Sequence, residues 1–397
     1  MKGKVLTFIF VVLLALCVSL AVTFPSDEQS IIKENRTPAE FPSFTFETVT
    51  DGSFMKGMDT YLNDRIAYRG IFTDMSARIK NSLGIKSDLG KIIPVKKDIG
   101  TGVSEETYLV YRDYTLMEAY QYNNKAVKSY IGALNSYTDV FDGNVNLYSI
   151  IVPTQLEFQN MLYSSLQSSQ KTTIDEVASG LDKRYKSVNV YDTLKNNTLD
   201  YLYFRTDHHW TADGAYMAYR EYCAAAGLTP VEKTDFEKKE YPDLLGSLYD
   251  QSQEEEVKQK PDTLIRYLTD PEGKITLTMR AVEDGKEIEY KGVLFNENQE
   301  KIKYSAFMGG DHQFAEIKNA DCKNKKTLLV FKDSYANAFL PWVVKNYETV
   351  IVIDPRSYKG NISEITDEYK IDDFIMFNYV FSTSFEDYCQ MLKNLAK

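Results

Sequence analysis

Four short, unbroken apolar runs stand out along this chain. Val145–Val152 (VNLYSIIV), Thr327–Phe331 (TLLVF), Thr349–Ile353 (TVIVI) and Asp373–Phe377 (DFIMF) are continuous rather than alternating, the pattern of strands buried on both faces. Helical stretches separate the last three, which predicts an α/β fold with a parallel sheet flanked by helices. Further helices are predicted over 53–83, 116–138, 172–186 and Ala212–Ala226. The last has Thr211 as N-cap, Gly227 as its stop, and Ala215, Ala218, Tyr219, Tyr222 and Ala226 along one face. Val188–Tyr191 and Tyr201–Phe204 read as short strands, and 84–113 as irregular. The stretch from about 244 to 310 differs. Leu264–Leu268, Ile275–Met279 and Ile288–Leu294 are short alternating runs, which predict an antiparallel, β-rich insertion; Glu254–Glu256 reads as a solvated face.

The N-terminus bears on location. Lys2 and Lys4 precede an uncharged run from Val5 to Phe24 that stops at Pro25. Such a run can span a bilayer as one helix, with the positive end inside. A cleaved signal peptide is the competing reading, since Ser19 and Ala21 fit the small residues before a cut. Either one places the bulk of the chain outside the cytoplasm, membrane-anchored or secreted. The expected organisation is a signal anchor or signal peptide at 1–25, a linker and helical region at 26–115, and a catalytic domain at 116–397 that carries the β-rich insertion.

Composition narrows the classes. The chain has 397 residues, and 57 acidic against 46 basic side chains give a net charge of −11. That balance disfavours a nucleic-acid partner, because phosphate contacts need clustered Lys and Arg. Tyr (29) and Phe (21) far outnumber Trp (2), which suits half-buried packing or sugar contacts. The four cysteines, Cys17, Cys223, Cys322 and Cys389, are widely spaced with no C-x-x-C, so neither a zinc knuckle nor a disulfide scaffold is indicated.

Polar groups follow the apolar runs: Thr154 and Gln155, then Lys332, Asp333 and Ser334, then Asp354 and Arg356, then Asn378 and Tyr379. Ligands of open parallel sheets bind beyond such strand ends. Ser334 sits where a strand turns into a small-residue stretch, the setting of a nucleophilic serine at a helix N-terminus, where free N–H groups favour an oxyanion. An N-cap serine is the alternative. The chain has three histidines, His208, His209 and His312, and two stand in Thr206-Asp207-His208-His209-Trp210, directly before a helix. A serine hydroxyl needs an adjacent base, and His has the suitable pKa. In an extended loop Asp207 points the same way as His209 and can hold its ring, with His208 facing away to pack or bond structurally. Metal ligation by the same cluster, with Asp311 and His312 completing it, is the other reading. Adjacent histidines converge poorly on one ion.

Asp207-His208-His209-Trp210 resembles the signature of the DHHW protein family, which is similar to the alginate O-acetylation proteins of the SGNH-hydrolase-like superfamily. Four more segments resemble family blocks: 61–69 (YLNDRIAYR), 307–312 (FMGGDH, with Asp311 in place of Asn), 332–337 (KDSYAN) and 353–358 (IDPRSY). The likeness spans about residues 50 to 390. It implies an SGNH-like fold with Ser334 as nucleophile, His209 as base and Asp207 as its orienting acid. It also implies substrate or oxyanion roles near the pocket for Tyr335, Asn337, Arg356, Tyr379, Gly310 and His312, with no metal and no cofactor. The activity implied is O-acetylation of an exported polysaccharide. An integral membrane acyltransferase of the MBOAT type would be the acetyl donor, a polysaccharide synthase complex a further partner, and the N-terminal helix the membrane contact. An acetyl-esterase using the same triad and a non-catalytic polysaccharide-binding assembly factor are the alternatives. The polymer itself is not readable from these residues.

Overall fold

The computed structural model describes residues 41–50, 54–55, 57–58, 61, 90–98, 104–141, 143–159, 166–269, 274–283 and 286–396. The predicted membrane segment at 1–25, Cys17 and most of the helix expected over 53–83 lie outside the described residues. Among the described residues no helix is long and apolar enough to cross a membrane. The chain divides into two compact units, 1–88 and 89–397. In the first, α1 (Phe46–Thr50) is a short helix, and Phe41 meets Tyr61 and Phe54 edge to face.

The second unit opens with an antiparallel sheet of β1 (Lys91–Asp98), β2 (Ser104–Arg112) and β3 (Thr115–Glu118). This corrects two expectations, an irregular 84–113 and a helix starting at 116. The β2–β3 turn holds Asp113 and Tyr114 at φ 49° and 66°, the left-handed pair of a tight hairpin. It lacks the Asn-Gly or Asp-Gly dipeptide that marks such turns in sequence. The helix instead begins later, as α2 (Asn124–Val140), where the Asn123 side chain accepts from the Ala126 N–H at 3.2 Å.

β4 (Asn146–Val152) follows the predicted run. Next come α3 (Gln170–Gly180), β5 (Tyr185–Val188) and α4 (Tyr191–Asn196). The strand expected at Val188–Tyr191 is therefore displaced toward the N-terminus, and the one expected at Tyr201–Phe204 reduces to a single bridge between Tyr203 and Trp210. α5 (Ala212–Ala226) occupies its predicted span, with the Thr211 hydroxyl capping Gly214 N–H at 3.2 Å and Gly227 at φ 68°. Ala215, Ala218, Tyr219 and Tyr222 are fully buried along it.

β6 (Lys238–Leu244), α6 (Ser247–Ser252), β7 (Asp262–Tyr267), β8 (Ile275–Glu283), β9 (Lys286–Gly292) and β10 (Phe314–Asn319) occupy the β-rich stretch and its flanks. β11 (Thr327–Lys332), α7 (Leu340–Val343), β12 (Thr349–Ile353), α8 (Ile362–Glu368), β13 (Asp373–Tyr379) and α9 (Glu386–Leu395) complete the chain. The main sheet has the order β5-β4-β13-β11-β12-β10-β8-β9. Its first five strands are parallel, while β10, β8 and β9 are added antiparallel. The sheet is thus mixed rather than parallel, and part of the expected insertion is the continuation of the main sheet. Alternating runs reveal half-exposed antiparallel strands, but they do not say which edge those strands join. β6 and β7 pair separately. Pro341 lies in the first turn of α7, where its missing N–H costs nothing.

Leu328, Leu329, Val330 and Phe331 of β11 are fully buried, with Ile375 and Phe377 of β13 beside them. Because β4, β13 and β11 run parallel, their carboxyl ends open on one rim. Cys223 and Cys389 are buried and Cys322 half-buried, all three as free thiols.

Candidate active site

The Ser334 position is built by an aspartate. Where β11 ends, Asp333 caps a five-residue 3-10 turn, Ser334–Ala338. One Asp333 oxygen accepts from Tyr335 N–H at 3.0 Å. The other accepts from Asn378 Nδ2 (3.0 Å), Tyr379 N–H (2.9 Å) and Ser382 Oγ (2.8 Å). Burial pushes this carboxyl above its usual range, and the bonds from Asn378, Ser382 and Tyr379 together with the Arg356 charge offset part of that effect. Asp333 does the capping, so the Ser334 hydroxyl is left for other work. Among the described residues the Ser334 N–H has no acceptor, which leaves one backbone donor beside its own Oγ.

His209 comes from the loop between α4 and α5. Fully buried Asp262, the first residue of β7, accepts from Thr206 N–H (2.7 Å), Thr206 Oγ1 (2.6 Å), Arg205 N–H (2.8 Å) and the Tyr201 hydroxyl. This pins the residue before Asp207. Asp207 Oδ1 then accepts from both the backbone N–H (3.0 Å) and the ring Nδ1 (2.6 Å) of His209. The geometry is an Asx turn rather than the extended loop expected from the spacing. Asp207 Oδ2 accepts from Ser247 N–H at 2.9 Å. Burial works against the Asp207 charge, but His209 and the Ser247 amide hold its carboxyl well below the ordinary carboxylate range. His209 Nε2 lies 2.8 Å from Ser334 Oγ. The structure thus brings Asp207, His209 and Ser334 into one hydrogen-bonded line across 125 residues of sequence separation.

The neighbours of that line were only partly foreseen. His208 does not face away: its ring lies 3.7 Å from the His209 ring, and its Nδ1 shares a 2.7 Å hydrogen bond with Ser247 Oγ. Trp210 is fully buried and donates from Nε1 to the Tyr335 carbonyl at 2.9 Å. Asp207, His208 and His209 bring one possible metal-ligand atom each within 4.8 Å of one another. Both His209 nitrogens, His208 Nδ1 and both Asp207 oxygens are engaged in the bonds just described, and an ion there would have to break the line to Ser334. The donor set fits proton transfer better than ligation.

The remaining sequence candidates occupy varied places. Tyr335 is fully buried, and its hydroxyl donates to the His208 carbonyl, while its ring stacks on Tyr379 at 4.8 Å. The Tyr335 hydroxyl thus ties the serine turn to the His208 backbone, and the Tyr379 ring lies 6.3 Å from the His208 ring. Asn337 is also buried and donates to Asp311 Oδ1 at 2.9 Å. The Arg356 guanidinium makes two bonds to Asp354 (2.9 and 2.5 Å) and one to Asp311 Oδ2 (2.8 Å). Asp311 also pairs with the buried Lys332 ammonium. Burial opposes the Asp311 charge, yet Lys332 and Arg356 outweigh it and hold the carboxyl well below its ordinary value. His312 donates from Nε2 to the Met308 carbonyl at 2.9 Å, so it closes its own loop. Gly310, at φ 111°, has open space where a β-carbon would be. Sequence reasoning missed Asp262, Gly246, Ser247 and Tyr304. No local motif marks any of them; they become relevant only because distant strands carry them to the loop.

No curated protein matches this chain in sequence. Among solved structures, a DHHW family protein from Eubacterium siraeum is similar at 26% identity and a TM-score of 0.65, over 76% of this chain and 98% of that one. PatB1 of Bacillus cereus is similar in fold, at 18% identity and a TM-score of 0.60, over 71% of this chain and 99% of its own. The O-acetyltransferase domain of Pseudomonas putida AlgJ aligns at 12% identity and a TM-score of 0.42, over 72% of this chain and 98% of that one. The DHHW protein model matches residues 92–353, from β1 through β12 and across the whole Asp207–His209–Ser334 line, and the chain belongs to that family.

Proposed function

We propose that this protein is an extracytoplasmic O-acetyltransferase that moves acetyl groups onto hydroxyls of a cell-surface or secreted polysaccharide through an acyl-Ser334 intermediate. The observation that carries this reading is the pair of contacts made by one imidazole, Nδ1 to Asp207 at 2.6 Å and Nε2 to Ser334 Oγ at 2.8 Å. In the first half-reaction Ser334 Oγ attacks the acetyl carbonyl as its proton passes to His209 Nε2. The oxygen of the tetrahedral intermediate meets the Ser334 N–H. The C–O bond to the donor breaks, and His209 returns the proton to the departing oxygen. In the second half-reaction a sugar hydroxyl gives its proton to His209 and attacks the acyl carbon, which releases Ser334. Asp207 holds the tautomer and stabilises the imidazolium in both halves.

Room for a polymer adjoins the same rim. Two hollows of about 440 and 240 Å³ share Gln155, Phe158 and Gln159 just beyond the end of β4. An acetylated carrier or membrane acyltransferase of the MBOAT type is the donor in this reading, and the uncharged run at 5–24 is the anchor. Hydrolysis by the same triad is the second reading, because water can replace the sugar in the second half. Purified protein incubated with an acetyl ester, with and without oligosaccharide, separates them. Acetylated sugar is the expected product, whereas acetate alone would assign the protein as an esterase. Full polymer acetylation in a deletion strain complemented with Ser334→Ala would remove both.

A further inference from the structure

The triad bonds by themselves do not fix the plane of His209. An imidazole bonded at both nitrogens can still rock about its Cβ–Cγ bond, and it must not turn over once doubly protonated. In this protein the ring is held in a slot. On one face lies the Tyr304 ring, with centroids 3.6 Å apart and planes within 6° of parallel. On the other lies His208, 3.7 Å away and tied to Ser247. Tyr304 is buried, and its hydroxyl is also engaged. It donates to the Tyr335 carbonyl at 3.1 Å and accepts from the Ala338 N–H at 3.3 Å. Both of those backbone groups belong to the 3-10 turn that begins with Ser334.

We propose that Tyr304 is a positioning residue of this site. Its ring sets the plane of the His209 imidazole and its hydroxyl fastens the turn that carries Ser334, so that one side chain fixes the spacing of base and nucleophile. The catalytic part of this statement rests on the roles given above to His209 and Ser334; the geometric part does not. The arrangement explains why a phenol suits the position. A phenylalanine would keep the flat face but leave two buried backbone groups of the serine turn without this partner. An aliphatic side chain would fill the volume yet present no flat face, and the imidazole would be free to tilt away from the line joining Asp207 to Ser334.

The test uses the full chain and the variants Tyr304→Phe and Tyr304→Leu. The first readout is the proton NMR resonance of the His209 Nδ1–H bonded to Asp207, which does not depend on turnover. The second is acetyl-ester turnover, with kcat and KM taken separately. Tyr304→Phe is expected to keep the resonance and to lose about threefold in kcat. Tyr304→Leu is expected to lose the resonance and about 10- to 100-fold in kcat, with KM within about twofold, as for a misplacement near 1 Å. A Tyr304→Leu protein that keeps both the resonance and its kcat would overturn the proposal. So would a Tyr304→Phe protein as impaired as Tyr304→Leu, since the ring would then contribute nothing. Should Tyr304→Leu fail to fold cooperatively, Tyr304→Met decides by the same criteria. Wild-type protein that shows the resonance and responds to these substitutions, yet turns over no ester, would count against the enzyme reading and leave the positioning role standing.

Discussion

Gly246 lies against Asp207 so closely that a β-carbon on residue 246 would fall 2.3 Å from the Asp207 Cβ and 2.4 Å from its Oδ2. Only glycine lets the start of α6 approach the loop, and that approach delivers the Ser247 N–H to the Asp207 carboxylate. Gly246→Ala should therefore push Asp207 off both Ser247 and His209. We expect kcat for a small acetyl ester to fall about 100-fold with little change in KM. Steady-state kinetics on protein with a wild-type circular dichroism spectrum checks this.

Asp207→Asn keeps the size of the side chain but offers His209 an amide. The wrong imidazole tautomer is then favoured, and kcat is expected to fall by about four orders of magnitude. Stopped-flow acylation of Ser334 by an activated ester measures the step that should fail; acylation within tenfold of wild type would deny Asp207 its orienting role.

Asp262 is distant from the chemistry, yet its carboxylate takes three hydrogen bonds from Arg205 and Thr206. Asp262→Asn replaces one acceptor oxygen with a donor facing other donors. Stability should drop by about 1–3 kcal/mol, because a buried group loses its partner. Urea unfolding reads that loss, and turnover should decline with it as the loop slackens. A midpoint equal to wild type would show that the loop holds itself.

Asp311 links stability to pH. Its folded carboxyl is depressed by Lys332 and Arg356 against the effect of burial, so the folded state binds this proton less readily than the unfolded chain. The stabilisation is thus complete above the ordinary carboxylate range, near pH 4, and is lost as pH falls below it. Asp311→Asn should cost about 1–3 kcal/mol at pH 7, toward the lower end because solvent reaches this side chain, and should flatten the acid limb of the stability curve. Melting temperatures from pH 3 to 7 decide it; an unchanged acid limb would assign that limb to other carboxylates.

The meeting of Asp207, His209 and Ser334 was legible because these residues are scarce or set in telling contexts. Two of three histidines share one tetrapeptide, and Ser334 follows an unbroken apolar strand, so few pairings were possible. The β2–β3 hairpin was not legible, since Asp113 and Tyr114 adopt left-handed backbone without glycine or asparagine. Nor was the sheet's mixed character. The alternation in β8 and β9 reports one covered face but carries no information about the neighbour that covers it.

Hydrophobic periodicity and side-chain chemistry, both local properties, were enough to determine the buried strands, the span of α5 and which aspartate, histidine and serine to look for together. Tertiary structure alone decided what surrounds them: Asp262 from β7, Gly246 and Ser247 at the start of α6, and Tyr304 from the segment between β9 and β10. Those residues act through orientation and close approach, which depend on distances between strands far apart in the chain. Such distances are set when the whole sheet packs, and no window of sequence contains them.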